Sequence, residues 1–438
     1  MIVRGAGTVL FGTLVTTFCF LVGSEVLCQD TPAKLTEKAV KSLGKVEGGA
    51  SAKVVINCNG NRLAYLLRKG KDRMAVVCDG KEGPEYWVIY MERARFSPDG
   101  SRFVYSVTKP SGVNMWVCDG VEIDGHPSVP FVFSPDGRHT AYGSLSKVIR
   151  DGRPDSDEDP HAAGGRMTPV FSPDSQHLAY FAGYPPKRCM VCDGKKGPPF
   201  KEQLGDAVWT PDSSSFAYTV SQGDKVGDKQ VILWGSRRLG PHEMIEGLVF
   251  SPDSKRLAYH ARSKGKWSVV VSDQKGPEFI NVGTMILFSP DGRRLAYPAC
   301  DKDGWLIFCD SKKGPVFAEV GDPVFSPDGK HLAYRAVKEG RAVAICDGRE
   351  SGTFDEVTRV VFSPDSKHLA FAAGRKGEKF MVCDGVETPA HATVLVPEHF
   401  DAVPGKLRYV VIDKDQASLV EVDWPADRTW EDAFKSSK

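Results

Sequence analysis

An all-β fold of about ten four-stranded units arranged as a ring is what this sequence predicts, and three observations carry the prediction. The phrase Phe-Ser-Pro-Asp-Gly, first met at Phe96 to Gly100, returns down the chain. Its Phe, or a substitute, falls at Ile56, Phe96, Phe133, Phe171, Trp209, Phe250, Phe288, Phe325, Phe362 and Phe400, with successive spacings of 40, 37, 38, 38, 41, 38, 37, 37 and 38 residues. Seven residues after each comes an apolar residue or Thr140, then nearly always Ala-Tyr, as at Leu63, Leu178, Leu257, Leu295 and Leu332. A second phrase, Val/Ile/Phe-Cys-Asp, usually followed by Gly, carries Cys78, Cys118, Cys192, Cys309, Cys346 and Cys383.

One unit, read from Asp322, resolves into four extended stretches. Residues 323–326 are apolar, 331–337 alternate, 341–346 are small and β-branched, and 354–358 are the weakest. Ser-Pro-Asp-Gly, Lys-Glu-Gly and Asp-Gly separate them as turns. Periods near ~40 residues with four strands each are the signature of β-propeller blades.

The elements follow in order. Residues 1–28 hold one positive charge, Arg4, ahead of an apolar run from Val9 to Val22, then Gly23 and Ser24. The run falls short of the ~20 residues of a membrane-spanning helix and suits a cleaved export signal, cut after Ser24 or Cys28. A lipid anchor on Cys28 is the rival, with Glu25 and Leu27 against it. Residues 29–50 are expected as one short helix and a linker, from the Thr31 cap, Pro32 in the first turn and Gly44 as stop. Residues 51–424 are the propeller, and 425–438 a C-terminal tail. The last unit has strands near 407–412 and 418–422 but no clear fourth, which a segment before Ile56 is expected to supply, closing the ring and leaving no open edge. Even spacing favours one ring. Two smaller tandem propellers are the alternative, with a boundary at the stretched fifth unit or the irregular third.

The Phe-Ser-Pro-Asp-Gly phrase, its basic pair and the Leu-Ala-Tyr that follows together resemble the WD40-like repeats of the TolB propeller family over residues 51 to 424. The resemblance implies blades whose first strand lines a central channel. It is similar in role to an envelope protein that holds protein partners, although the α/β domain that precedes the TolB propeller has no counterpart here.

A carboxylate recurs at Asp99, Asp136, Asp174, Asp212, Asp253, Asp291, Asp328 and Asp365. A turn role explains it: Pro sets the first corner, Asp accepts local backbone hydrogen bonds, and Gly tolerates the positive φ. Ser175, Ser213, Ser254 and Ser366 replace that Gly. Equivalent residues on neighbouring blades lie about ~10 Å apart or more, too far to share a metal or a disulfide. His139, His177, His331 and His368 are accordingly expected as exposed turn residues, and the six repeated cysteines as small, reduced strand residues. No metal and no cofactor is expected. The acidic loop at 153–161 begins like a calcium loop, but Pro160 and Arg166 stand where the pattern wants Gly and Glu.

Lys plus Arg number 57 against 56 Asp plus Glu, a balance that argues against nucleic acid as partner. Gly-x-Ser-x-Gly, P-loop and His-Glu-x-x-His patterns do not occur. Given the channel that the resemblance implies, Arg93, Arg95, Asp206, Glu246, Asp322 and Arg359 are the candidates for its mouth. The expected function is a non-catalytic scaffold, monomeric, periplasmic or secreted, with no transmembrane segment in the mature chain and a protein partner in the envelope. The alternatives are a small-molecule or glycan binder using the channel, and a channel-site enzyme of lactonase or glycosidase type.

Overall fold

The computed structural model describes residues 35–436 apart from 48–52, 58–59, 126–128, 145–146, 156–167, 184–187, 201–203, 222, 224–227 and 397–404. The expected export signal and Phe400 lie outside the described residues.

Local chemistry builds each unit. In blade 8 the strands Val324–Phe325, Leu332–Lys338, Arg341–Cys346 and Arg349–Glu350 run from the centre outward. Asp347 and Gly348, at φ 47° and 78°, join the last two. Left-handed conformation at both central residues defines the two-residue turn that matches strand twist, and Asp-Gly is its favoured pair. The recurrent Cys-Asp-Gly phrase is therefore a hairpin turn. Leu332, Ala333 and Tyr334 are all buried, because a blade is covered on both faces by its neighbours and its middle strands need no polar side.

Ten such antiparallel sheets follow one another along the chain. Two of them, in blades 7 and 8, have a split innermost strand. The core is divided among the blade junctions. Blades 3 and 4 share Ala141, Val148, Phe171 and Tyr180, and blades 5 and 6 share Ala217, Ile232, Phe250 and Tyr259. Leu63, Tyr65 and Val77 of blade 1 pack with Val410, Ile412 and Leu419 of blade 10. Contact is thus continuous through both places where two tandem propellers would have parted, and it returns to the start. The protein is one ten-bladed ring.

Closure corrects the N-terminal expectation. Blade 10 comprises Thr393–Leu395, Lys406–Asp413 and Gln416–Asp423, and its outermost strand is Lys38–Lys45, antiparallel to Gln416–Asp423. The segment expected as a helix is this strand, and Gly44, expected as a helix stop, lies at a register shift in it. An isolated helix of this length is marginal in water, whereas pairing on the open edge satisfies its backbone and buries Leu43 and Val46.

The C-terminal tail is also part of the fold. Trp430–Ala433 forms one helical turn and Lys435–Ser436 pairs with Arg349–Glu350 on the outer edge of blade 8. Trp430 and Phe434 are buried in the junction of blades 8 and 9. Among the described residues no helix is long and apolar enough to cross a membrane.

A further repeated element escaped the sequence reading. After several hairpins a Gly-Pro-x-aromatic phrase, or a relic of it, sends a ring into the next junction. Tyr86 meets Tyr105 at 6.5 Å between ring centres, Phe279 meets Tyr297 at 6.2 Å, and Phe317 meets Tyr334 at 6.3 Å. At the junction of blades 9 and 10 the same position is His391, in the register that Phe354 holds one blade earlier.

Candidate functional site

The motif carboxylates all face their own turns. In each of the eight copies a Ser or Thr hydroxyl two residues earlier donates to the Asp at 2.5–2.6 Å. The backbone N–H two residues later donates to the same oxygen, as Lys330 does to Asp328 at 3.1 Å. The hydroxyl is the largest influence holding Asp136, Asp174, Asp212, Asp253, Asp291, Asp328 and Asp365 below the usual carboxylate range, to about 2 in Asp212 and Asp328. In Asp99 burial opposes the charge, and hydrogen bonds from Ser101 and Ser97 still leave it lowered.

The four serines that replace Gly form a relay the sequence did not reveal. Ser175, Ser213, Ser254 and Ser366 keep positive φ, and each hydroxyl accepts the backbone N–H of the preceding blade's motif Asp at 3.0–3.1 Å. At two of the motif glycines that are kept, Gly100 and Gly137, the same place is crowded. A Cβ on Gly137, at φ 74°, would stand 2.4 Å from the Asp99 carboxyl carbon. Gly137→Ala is therefore expected to lose at least about 2 kcal/mol from strain and clash, with Asp99→Gly recovering part of it in the double variant. Equilibrium unfolding of the two singles and the double measures this; full additivity would refute the contact.

The four histidines are corrected as well: they are not free turn residues. Their Nδ1 atoms hydrogen-bond Asp151, Asp193, Asp347 and Asp384, the hairpin-turn aspartates, at 2.6–2.8 Å. Arg62, Arg102 and Arg294 make the equivalent contact with Asp79, Asp119 and Asp310. Six of these seven plates then lie against the next blade's motif aromatic, and His368 stacks on Trp424 at 5.3 Å. Arg62 sits 5.1 Å from the Phe96 ring, Arg294 5.0 Å from Phe325, and His177 stacks on Trp209 at 5.9 Å. Such a contact contributes about 0.5–1 kcal/mol. The Phe of the repeat, its basic residue and the Asp of the second phrase are thus one inter-blade clamp.

The channel-mouth candidates are spread around the ring. Arg93 and Arg95 lie at a bulge of the innermost strand Val88–Phe96 of blade 2, Glu246 at the bulge of Met244–Phe250 in blade 6, and Arg359 at the bulge of Glu356–Phe362 in blade 9. Asp206 and Asp322 precede the innermost strands Val208–Trp209 and Val324–Phe325. All six are exposed. Asp206 accepts a hydrogen bond from Thr168 at 2.5 Å, across one junction, and desolvation lowers Arg95 from its ordinary value. Among the described residues no group of three His, Cys, Asp or Glu side chains is arranged to hold a metal ion. The eight described cysteines are free, and burial pushes the Cys78 and Cys192 thiols up to about 11, away from the reactive thiolate. Of the acidic loop, Asp157, Asp159, Pro160 and Arg166 lie outside the described residues.

Open grooves recur between blades instead. One, of about 590 Å³, lies between blades 4 and 5 over Met190, Tyr218 and Leu233. Others of about 450 and 320 Å³ occupy the same place between blades 1 and 2 and between blades 6 and 7. Between blades 8 and 9 the corresponding place holds Trp430 and Phe434, with Trp430 against His331 at 5.1 Å and Phe434 against Phe371 at 6.4 Å.

No protein-family model matches the chain, and no curated protein sequence matches it. Solved structures do. A eukaryotic initiation factor is 13% identical over 82% of this chain and 90% of its own, with a TM-score of 0.44. TolB from Acinetobacter baumannii is 12% identical over 58% of this chain and 62% of its own, at 0.28, and the Dos1 propeller is 11% identical over 82% and 96%, at 0.37. These are distant likenesses of architecture and carry nothing about what this chain binds.

Proposed function

We propose that this chain is an exported, non-catalytic β-propeller scaffold that holds a protein partner in the cell envelope and acts as a monomer. The observation that carries the reading is the seat of the C-terminal segment. The ring already grips a short peptide stretch by an aromatic pair and by strand addition to a blade edge, two recurring ways in which a surface takes a peptide. The repeated carboxylates and imidazoles support the same reading from the other side, since turns and inter-blade clamps engage them. Export rests on the apolar run of residues 9–22 and the small residues after it.

Chemical cross-linking of a tagged copy in the intact envelope, with mass spectrometry of what it retains, tests this. The expected result is a specific protein whose cross-links fall on one surface of the ring, and a mature chain shortened by its leader. A full-length chain confined to the cytosol, or no partner above background, would overturn it and turn attention to ligands of the channel.

A further inference from the structure

We propose that the open groove between blades 4 and 5 is a docking site for a partner segment folded as one helical turn, with two aromatic residues four apart and acidic residues between them. The proposal rests on the scaffold reading and names its surface and the chemistry of its ligand.

The protein's own C-terminus supplies the argument. Trp430 and Phe434, four apart, enter the junction of blades 8 and 9, with Glu431 and Asp432 exposed between them. The Arg349 guanidinium donates to the Glu431 carbonyl at 2.8 Å, and Lys435 and Ser436 then pair with Glu350 and Arg349. The repeat places the same parts at the junction of blades 4 and 5. Cys192-Asp193-Gly194-Lys195-Lys196 corresponds to Cys346-Asp347-Gly348-Arg349-Glu350, so Lys195 stands where Arg349 does. His177 stands for His331 and Tyr218 for Phe371, and all three line the groove. The outer strand Lys195–Phe200 offers the edge that Arg349–Glu350 offers in blade 8.

Charge and room together select this groove over its neighbours. Lys195 and Lys196 line it against one carboxylate, Asp193, so an acidic turn of the Glu431-Asp432 kind meets an excess of cations. The groove between blades 1 and 2 sets Asp79, Glu82 and Asp119 against Arg62 and Lys81, and the one between blades 6 and 7, with Lys275, Arg293 and Asp310, has a similar balance but about half the volume. Of these three, the groove of blades 4 and 5 offers the most room for an aromatic pair and its turn.

The probe is a synthetic peptide of residues 428–437, fluorescently labelled and carrying a photoreactive phenylalanine at 434, added to the full chain. Saturable binding is expected, with cross-links on Met190 to Lys196 or Phe216 to Leu233. Lys195→Glu with Lys196→Glu, both exposed and so tolerated by the fold, is expected to weaken binding at least about fivefold. A peptide with Trp430→Ala and Phe434→Ala is expected to lose it. Cross-links confined to blades 8 and 9 would mean that the probe only displaces the resident tail, and would overturn the proposal. Binding indifferent to the charge reversal, or none, would do the same. If the envelope experiment still captures a partner, cross-linked elsewhere on the ring, the groove falls and the scaffold stands.

Discussion

Val46→Asp is expected to open the ring. Val46 is completely buried, its N–H donates to the Asp415 carbonyl at 2.7 Å, and it belongs with Leu43 to the junction of blades 10 and 1. An unpaired carboxylate there costs roughly 3–5 kcal/mol, enough to release the strand Lys38–Lys45 and expose the Gln416–Asp423 edge. The ring would then behave as a linear array of repeats with two raw ends, each blade held by one neighbour at the break. Thermal unfolding should shift down by at least about 5 °C, with new susceptibility to protease near residues 38 to 46. Val40→Asp, in the same strand but 42% exposed, is the control and should stay within about 0.5 kcal/mol of the parent. Equal effects from the two substitutions would refute closure by this strand.

Raising the pH is expected to loosen the neighbouring junction, of blades 9 and 10, where His391 holds the residue that leads into the closing strand. Its Nε2 donates to Glu37 at 2.7 Å and its Nδ1 to Asp413 at 2.5 Å, and the Tyr409 hydroxyl donates to the other Glu37 oxygen. Two donating nitrogens require the imidazolium, and these bonds, Glu37 first, push its pKa up to about 9. A raised pKa stabilises the fold fully below the ordinary value near ~6.5, and the contribution fades as pH climbs through about 9. Its size is roughly 2–3 kcal/mol, since each tenfold gain in proton affinity on folding is worth about 1.4 kcal/mol before solvent screening. The acid side has the opposite sign. Asp413 is held below its ordinary value although burial works against its charge, and the motif aspartates are lowered too, so their stabilisation is present above the usual carboxylate range and lost as pH falls. Thermal unfolding of the parent and His391→Gln between pH 5 and 10 decides the matter. The parent should lose stability from about pH 6.5 to 9.5, and the variant should start lower and stay flat there. Parallel curves would remove His391 from the closure.

The junction of blades 9 and 10 uses charge where other junctions use rings, and the order of the chain gives the reason. Nine of the ten blades receive their outer strand from the same stretch of chain, and the tenth takes it from residues 38–45. Glu37 arrives with that strand, so a polar partner at position 391 can recognise it, which an aromatic ring could not. The same trace of Gly-Pro-x-aromatic that marks the other junctions survives as Thr388-Pro389-Ala390-His391.

By itself the sequence determined the blade, its four strands and its count. Turn chemistry is local: Pro-Asp-Gly and Asp-Gly prefer their conformations whatever surrounds them, and a period repeated ten times averages out the weak signal of any one strand. It also placed the motif carboxylates in turns, because their partners lie two residues away. Only the tertiary structure decided what joins one blade to the next. The serine relay, the Arg and His plates over the following blade's aromatic, and the Glu37–His391–Asp413 lock link residues from 22 to 354 positions apart, distances at which no local pattern speaks. The strand at 38–45 read as a helix, and residues 430–436 read only as part of a C-terminal tail, for one physical reason: each gains its conformation from an edge or groove that exists only once the ring has formed.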